Sequence, residues 1–433
     1  MSAGVQGIPR RFPATSNDLA TSIVRTFGQH MELGTRLTFD GRLDARVLER
    51  AVRLLLDAEP VLGCGLKTST MRGWWQRRDD LDARIPFAVV QTDNADAEAV
   101  RLQVAKVPDE GPQVAVTLLR SPDHDDLVIG VSHNVADGQS AKQIAYVLSD
   151  LYTRLRDDAT YLPVPDLVPR PEARDVWDSL SEDQRRTAKR EPRPTMPNWE
   201  LPRKAQTGAG RTLRELHLGP DRLSAISRHG KQRGATVNDM MLTAFFRALV
   251  RVYPPPVDKP MSLSFSAEHR RYLAGDVEPP ISNLAVTIWL ALENRAGEDF
   301  DGTLERMVGQ TTRWRETLWG IRGAVGAAGM AKMGYAPMRL MLAAVGRLAG
   351  GAGKTSPVFT NLGIIEDGRL PFGEAAPVAA RISGPAAFGA SLVPTISTYR
   401  DTLTVSMGFC DADMDAPTIE AVLREMDRQL IFD

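Results

Sequence analysis

Cysteine is nearly absent from the 433-residue chain, which carries only Cys64 and Cys410. Two thiols cannot build the disulfide framework of a small secreted domain or a four-thiolate zinc site, and they read as reduced thiols of a cytoplasmic protein. An excess of one charge is missing as well. Lys+Arg 53 against Asp+Glu 54 leaves a formal net charge of −1, so no global field draws the chain to nucleic acid or to an anionic membrane. No run of 18 or more apolar residues is free of charge, and no membrane span is expected. The nearest approach is a Gly/Ala/Met-rich stretch from Leu318 to Gly353, interrupted by Arg322, Lys332, Arg339 and Arg347. Arg10 and Arg11 are followed by Phe12-Pro13-Ala14-Thr15, so the N-terminal region lacks the apolar core of a signal peptide. What is present, 43% hydrophobic and 25% charged residues, is the balance of a globular domain. The length suggests two units of about 200 residues.

Periodicity divides the chain into two mixed halves. In the first, Asn17 or Asp18 can cap a helix through Leu19, Ile23 and Phe27, and Arg36–Phe39 reads as a strand. Asp44 can cap a strongly amphipathic helix that Pro60 ends. Strands are expected at 61–66, 73–76, 85–91, 114–119 and 127–132, with a helix at 96–104 and a long helix from Gly138. From Tyr161 to Arg203 eight prolines break regular structure around one short helix. The second half resumes with a strand at 213–218 and helices at 221–232, 237–250 and 303–318. Strands follow at 261–266, 284–292, 358–362, 381–383, 394–399 and 403–409, then a helix at 417–430. The division is therefore 1–160, a Pro-rich linker or crossover 161–210, and 211–433. Two α+β halves around an interface would place a ligand site between them.

Three local patterns resemble sites and fail. Gly350–Thr355 lacks the first glycine of a phosphate loop, since Leu348 stands there, and Pro357 follows it. Asp411, Asp413 and Asp415 open like a calcium loop, but Ala416 replaces the glycine and Val422 the closing glutamate; a turn capping the last helix accounts for them. His124 among Asp123, Asp125 and Asp126 reads as a polar hairpin tip. No metal site is expected.

The informative segment is Val131-Ser132-His133-Asn134-Val135-Ala136-Asp137-Gly138-Gln139-Ser140, at the end of an apolar strand and directly before a helix. A strand end aims side chains rigidly and a loop exposes them. Histidine is the side chain suited to move a proton near neutral pH. An aspartate four residues on could orient the imidazole or serve another part of the fold, and a hydrogen-bonded histidine on an ordinary turn would look the same.

This segment resembles the HHxxxDG motif of the condensation-domain and CoA-dependent acyltransferase superfamily. Ala235-Thr236-Val237-Asn238-Asp239-Met240, Ser264–Leu273 with Arg270, Ile281-Ser282-Asn283-Leu284 and Thr360-Asn361-Leu362-Gly363 resemble later segments of the same family, in the same order. One position departs: Ser132 replaces the first histidine of the pair. The resemblance implies an α+β fold of two chloramphenicol-acetyltransferase-like halves, a V-shaped pseudo-dimer with a tunnel between them. It implies His133 as general base and the Gly138 N–H as an oxyanion donor. Asp137 would form a structural pair with Arg270, or with the adjacent Arg271 if the match slips by one. Ser132, Asn283 and Asn361 would lie along the tunnel.

The expected activity is transfer of an acyl group from a thioester to a hydroxyl or amine, by a free-standing enzyme of natural-product or lipid biosynthesis. The co-substrate would be acyl-CoA or an acyl-phosphopantetheine thioester, with no permanently bound cofactor. In the second case an acyl or peptidyl carrier protein is a partner. A non-catalytic condensation-like module that binds a carrier protein is the alternative. A third reading, a membrane-surface lipid protein, rests on Leu318–Gly353 alone, whose composition equally suits a buried helix pair or a tunnel wall.

Overall fold

The computed structural model describes residues 5–27, 31–201, 210–275, 278–331, 333–351, 354–386 and 392–432. The first half runs β1 (Arg11–Pro13), α1 (Ser16–Thr26), β2 (Glu32–Phe39), α2 (Ala45–Ala58), β3 (Cys64–Thr68), β4 (Gly73–Arg77), β5 (Phe87–Gln91), α3 (Ala95–Gln103), β6 (Val114–Arg120), β7 (Asp125–Ser132) and α4 (Gly138–Asp157). A crossover carries α5 (Ala173–Asp178) and α6 (Glu182–Ala188). The second half runs β8 (Arg211–Leu218), α7 (Pro220–Gln232), α8 (Val237–Val252), β9 (Pro260–Glu268), β10 (Ala285–Glu293), α9 (Phe300–Glu316), α10 (Ile321–Ala331), α11 (Tyr335–Gly351), β11 (Val358–Ile365), β12 (Ala379–Ser383), β13 (Val393–Tyr399), β14 (Thr402–Cys410) and α12 (Ala416–Gln429).

Local chemistry explains most boundaries. Asp44 caps α2 by accepting from the Arg46 and Val47 amides, as expected. The cap of α1 is Thr15, which forms a capping box with Asp18, so the expectation of Asn17 or Asp18 misses by two or three residues. Pro60 ends α2 but opens a 3-10 turn, Pro60–Gly63, where a strand was expected to begin. The crossover holds two short helices where one was expected. Asp415 caps α12, accepting from the Thr418 amide at 3.0 Å, which accounts for the false calcium pattern. α11 runs to Gly351 and Thr355 bridges to Trp199, so the phosphate-loop decoy joins a helix to a strand bridge; its Ala352 and Gly353 lie outside the described residues. Around His124, Ser121 Oγ lies 3.0 Å from Nδ1 and Asp126 3.2 Å from Nε2, and no metal-binding cluster occurs among the described residues. No helix among them is long and apolar enough to cross a membrane.

Strands β12-β2-β7-β6-β5 form one sheet, and β10-β9-β11-β13-β14-β8 a larger one; β1-β4-β3 is a small third sheet. The first sheet borrows its β12 edge from the second half, with Ile382 opposite Thr35 of β2. β12 also leans on β13, its Ile382 amide donating to Ser397 Oγ at 3.1 Å. The first core is completed in the same way. Phe372 packs edge-on to Phe39 with ring centroids 5.3 Å apart and against Tyr152 at 5.5 Å, while Leu370, Ile382 and Tyr399 join the same cluster. Nor is the crossover a loose tether. Arg170 is buried against Asp18 and donates to the carbonyls of Ile281 at 2.7 Å and Val135 at 2.8 Å.

Residues 1–190 expressed alone lack β12 and the seven buried apolar side chains that residues 281–399 contribute to their core. Each such side chain is worth about 1.5–3 kcal/mol when fully buried. The fragment is expected to aggregate and to show no cooperative thermal transition; circular dichroism melting and size-exclusion chromatography check this.

Candidate active site

β7 is buried at every position and ends at Ser132, opposite Glu32 of β2. The chain then turns, with the His133 amide donating to the Met31 carbonyl at 2.7 Å and the Val135 amide to Ser132 at 3.1 Å. Asp137 caps α4 by accepting from the Ser140 amide at 3.0 Å. His133 is thereby fixed between a strand end and a helix start.

Asp137 has an exposure of 1% and is fully occupied. Besides the cap it accepts from the Leu284 amide at 2.7 Å and from Arg270 Nη1 at 2.7 and 2.9 Å. Arg270 also reaches Glu268 at 3.2 Å, Ser140 Oγ at 2.7 Å and the Ser282 carbonyl at 2.7 Å. The Arg270 guanidinium holds the Asp137 carboxyl below the usual carboxylate range although burial opposes it. Asp137 thus ties β7 and α4 to the segment between β9 and β10. Among the described residues it makes no hydrogen bond to the imidazole. The partner is Arg270; Arg271 faces the cavity instead.

His133 lines a cavity of about 510 Å³ between the two halves. Burial holds its ring below the ordinary imidazole range, with the Asp137 charge opposing the shift and the Arg25 charge reinforcing it more weakly. Asn283 Nδ2 lies 3.1 Å from His133 Nδ1 and donates to the His133 carbonyl at 3.0 Å. Gly138 opens α4 on the cavity wall, where the first amides of a helix have no intrahelical partner. A Cβ there would fall 2.1 Å from Leu362 Cδ2 of β11, so any larger residue would have to push the tip of Leu362 aside.

Asn361 lines the cavity, donates to Asn238 Oδ1 at 3.2 Å and accepts from the Gly363 amide at 2.8 Å, bracing an irregularity in β11. Gly363 has φ +71°. Ser132 does not reach the cavity. It is fully buried, and its Oγ accepts from Arg25 Nη1 at 2.7 Å. Arg25 in turn meets Glu32 at 3.0 Å and Asp109 at 2.8 Å. An arginine from α1 therefore fills the space behind the site where the resemblance places a second imidazole.

Sequence reasoning passed over several wall residues: Thr236 and Asn238 at the start of α8, Glu268, Arg315 in the last turn of α9 and Trp319 after it; Arg271, weighed only as a partner for Asp137, also lies on the wall. Thr236, Asn238, Glu268 and Arg271 lie inside the segments that carried the resemblance, which was their only signal. Burial raises the Glu268 carboxyl above its ordinary value, with Arg270 opposing. Cys64 and Cys410 are buried and free, and burial pushes the Cys64 thiol up to about 12, so it is chemically inert.

Two predictions concern this geometry. Asp137→Ala leaves the Arg270 charge buried without its main partner, at a cost of about 3–5 kcal/mol. The variant is expected to melt well below wild type. Because the folded carboxyl titrates below its unfolded value near about 3.9, the wild-type advantage is complete above that pH and fades as pH falls through the folded value. Thermal melts of both proteins along a pH series check the sign. Ser132→His forces a ring into space held by the Arg25 guanidinium, and overpacking of this kind costs about 1–3 kcal/mol. A lowered denaturation midpoint is expected, reversed in part by shortening Arg25 to Ala.

No family model matches the sequence. The nonribosomal peptide synthetase dtxS1 of Metarhizium robertsii is 33% identical over 129 residues, 29% of this chain, and the match spans only 2% of that synthetase's length. Among solved structures, the first condensation domain of the CDA synthetase superposes with a TM-score of 0.70 at 18% identity, over 97% of this chain and 96% of that one. The trichothecene 15-O-acetyltransferase TRI3 of Fusarium sporotrichioides gives 0.71 at 13% identity, over 99% and 97%. The chain has the mixed α+β fold shared by condensation domains and this O-acetyltransferase.

Proposed function

We propose that the protein is an acyltransferase that moves an acyl group from a thioester to a hydroxyl or amine, with His133 as general base. The observation that carries this reading is the placement of His133 beside the open amides of α4 on one cavity wall, held there by Asp137 and Arg270. Fold alone would not specify a reaction.

The acceptor O–H or N–H gives its proton to a ring nitrogen of His133 while its oxygen or nitrogen attacks the thioester carbonyl carbon. The Gly138 amide, with the neighbouring Gln139 amide, faces the oxyanion of the tetrahedral intermediate. Collapse breaks the C–S bond, and the imidazolium returns the proton to the departing thiolate. Atoms balance with no further reagent.

The thioester is that of CoA or of a phosphopantetheine arm, and in the second case a carrier protein delivers it. Asn283 orients the ring, Asn361 shapes the wall, and Asp137 and Arg270 are positioning residues. The two buried thiols suit a reducing cytoplasm.

His133→Ala is expected to lower turnover by about 10²–10⁴-fold with little change in melting temperature, since the ring faces a cavity. A base must be neutral, and the folded ring titrates below the ordinary value of about 6.5, so wild-type activity should rise with pH below that value and level off above it. Thiol release from a panel of acyl-CoA and acyl-carrier thioesters with pooled alcohols and amines measures both. A folded His133→Ala protein within a few-fold of wild type would rule out the base.

A further inference from the structure

Between Glu316 and Glu366 the sequence has no Asp or Glu, yet it carries Arg322, Lys332, Arg339, Arg347 and Lys354. This run forms α10 and α11, and its composition would suit a buried pair of helices. They are not buried. The pair packs on α1, with Met338, Ala331, Tyr335 and Leu342 against Leu19 and Ile23, and the start of α10 packs on α5 and α6 through buried Ile321. The outer side presents large apolar groups to water: Leu340 is 73% exposed, Met333 46% and Met330 38%.

A second element extends the same surface. The β3–β4 turn reaches the junction of the two helices, its Thr70 carbonyl accepting from the Ala336 amide at 3.0 Å. Met71 at the tip of that turn is 57% exposed and lies where a side chain on Gly334 would strike its sulfur. Gly334 has φ +103°, so the junction needs glycine on both counts. Exposed cations lie on the same elements: Arg72 on the turn beside Met71, Arg339 next to Leu340 on α11, and Arg322 at the start of α10. Arg322 donates to the Lys189 carbonyl at 3.2 Å, which brings exposed Lys189 and Arg190 to the same side. Carboxylates also lie nearby, with Asp178 of α5 paired to Arg174. Glu191 accepts from the Gly323 amide at 3.3 Å, and Glu172 binds Ser16 Oγ at 3.0 Å.

We propose that the α10–α11 pair and the β3–β4 tip form a docking surface for an anionic phospholipid bilayer. Isolated, flexible Met and Leu side chains with Arg and Lys nearby match a headgroup layer, into which apolar side chains sink about 5–10 Å while cations meet phosphates. A protein partner is a poorer fit, because the patch shows no aromatic anchor and the helices carry no carboxylate for a partner's cations. A near-neutral chain can bind in this way because the cations are local. The surface does not depend on the acyl-transfer reading.

The test is flotation of the full chain with vesicles of phosphatidylcholine, alone or mixed with phosphatidylglycerol, at low and high salt. Wild type is expected to float with the mixed vesicles at low salt, to stay behind with phosphatidylcholine alone, and to release as salt screens the cations. Arg322→Glu with Arg339→Glu should lower partitioning at least about tenfold, given roughly 1 kcal/mol per basic residue near an anionic surface. Met333→Glu with Leu340→Glu should abolish flotation. All four positions are exposed, so melting temperatures should not change. The proposal is overturned if wild type fails to float with the mixed vesicles, if either double variant floats like wild type, or if wild type instead forms a dimer that Met333→Glu/Leu340→Glu disrupts.

Discussion

The structure turns on one buried ion pair. Asp137 and Arg270 come from opposite halves, and both side chains are almost sealed from water, at 2% and 7% exposure. A lone buried charge costs several kcal/mol, so neither residue is tolerable without the other. Their partners follow from that demand. Asp137 uses its remaining acceptor capacity on the amides of Ser140 and Leu284, and Arg270 spends its donors on Ser140 and the Ser282 carbonyl. The start of α4, the end of β9 and the approach to β10 are therefore fixed relative to one another, and His133 sits on the loop that this arrangement immobilises.

The remaining contacts between the halves reinforce the same seam. Lys142, one turn into α4, donates to the carbonyls of Leu362 at 2.8 Å and Ile364 at 3.1 Å, beside the irregularity of β11. Burial lowers its ammonium below the ordinary lysine value, which is tolerable because two carbonyls replace its water. Leu362 then presses on Gly138, so the second half closes one wall of the cavity with a side chain that a Cβ there would have to push aside. The borrowed strand β12 and Phe372 do for the first core what Lys142 does for the cavity. The halves fold as one body because each lacks something the other supplies.

How far this could be read from residues depends on the range of the forces involved. Asp44, Gly138 and Asp415 act within four residues, and sequence pattern placed their helices to within a residue. His133 and Asp137 were legible as a motif, and the choice of Arg270 came from resemblance. The facts that explain the site lie at separations the pattern cannot see. Thr15 outcompetes Asn17 as the cap of α1, and Asn17 is drawn instead to the Asn283 carbonyl, at 2.8 Å. Nothing in the alternation of Ala379–Ser383 says that it will pair with β2, more than 300 residues earlier. The Leu318–Gly353 composition left a membrane-surface segment, a buried helix pair and a tunnel wall open, and tertiary context leaves much of the helix pair exposed.

Ser132 shows how a departure from a motif can be absorbed. A smaller side chain at a fully buried strand end would leave a void or an unpaired hydroxyl, and Arg25 removes both, filling the space and donating to the oxygen. The replacement brings a cation close behind His133. Of the two carboxylates it meets, Glu32 is pushed up to about 7 by burial, while Asp109 at 2.8 Å is exposed. On the other side, the anion that could stabilise an imidazolium, Asp137, is bound to Arg270. Burial therefore favours the neutral form of the ring against the Asp137 charge, with Arg25 adding a smaller push the same way, and neutral is the form a general base needs before the acceptor arrives. On the acyl-transfer reading the imidazolium is then short-lived, and its return of the proton to the leaving thiolate is downhill. Sealing of the loop from water thus sets the readiness of His133, and Arg25, anchored on Ser132 behind the cavity, adds to it.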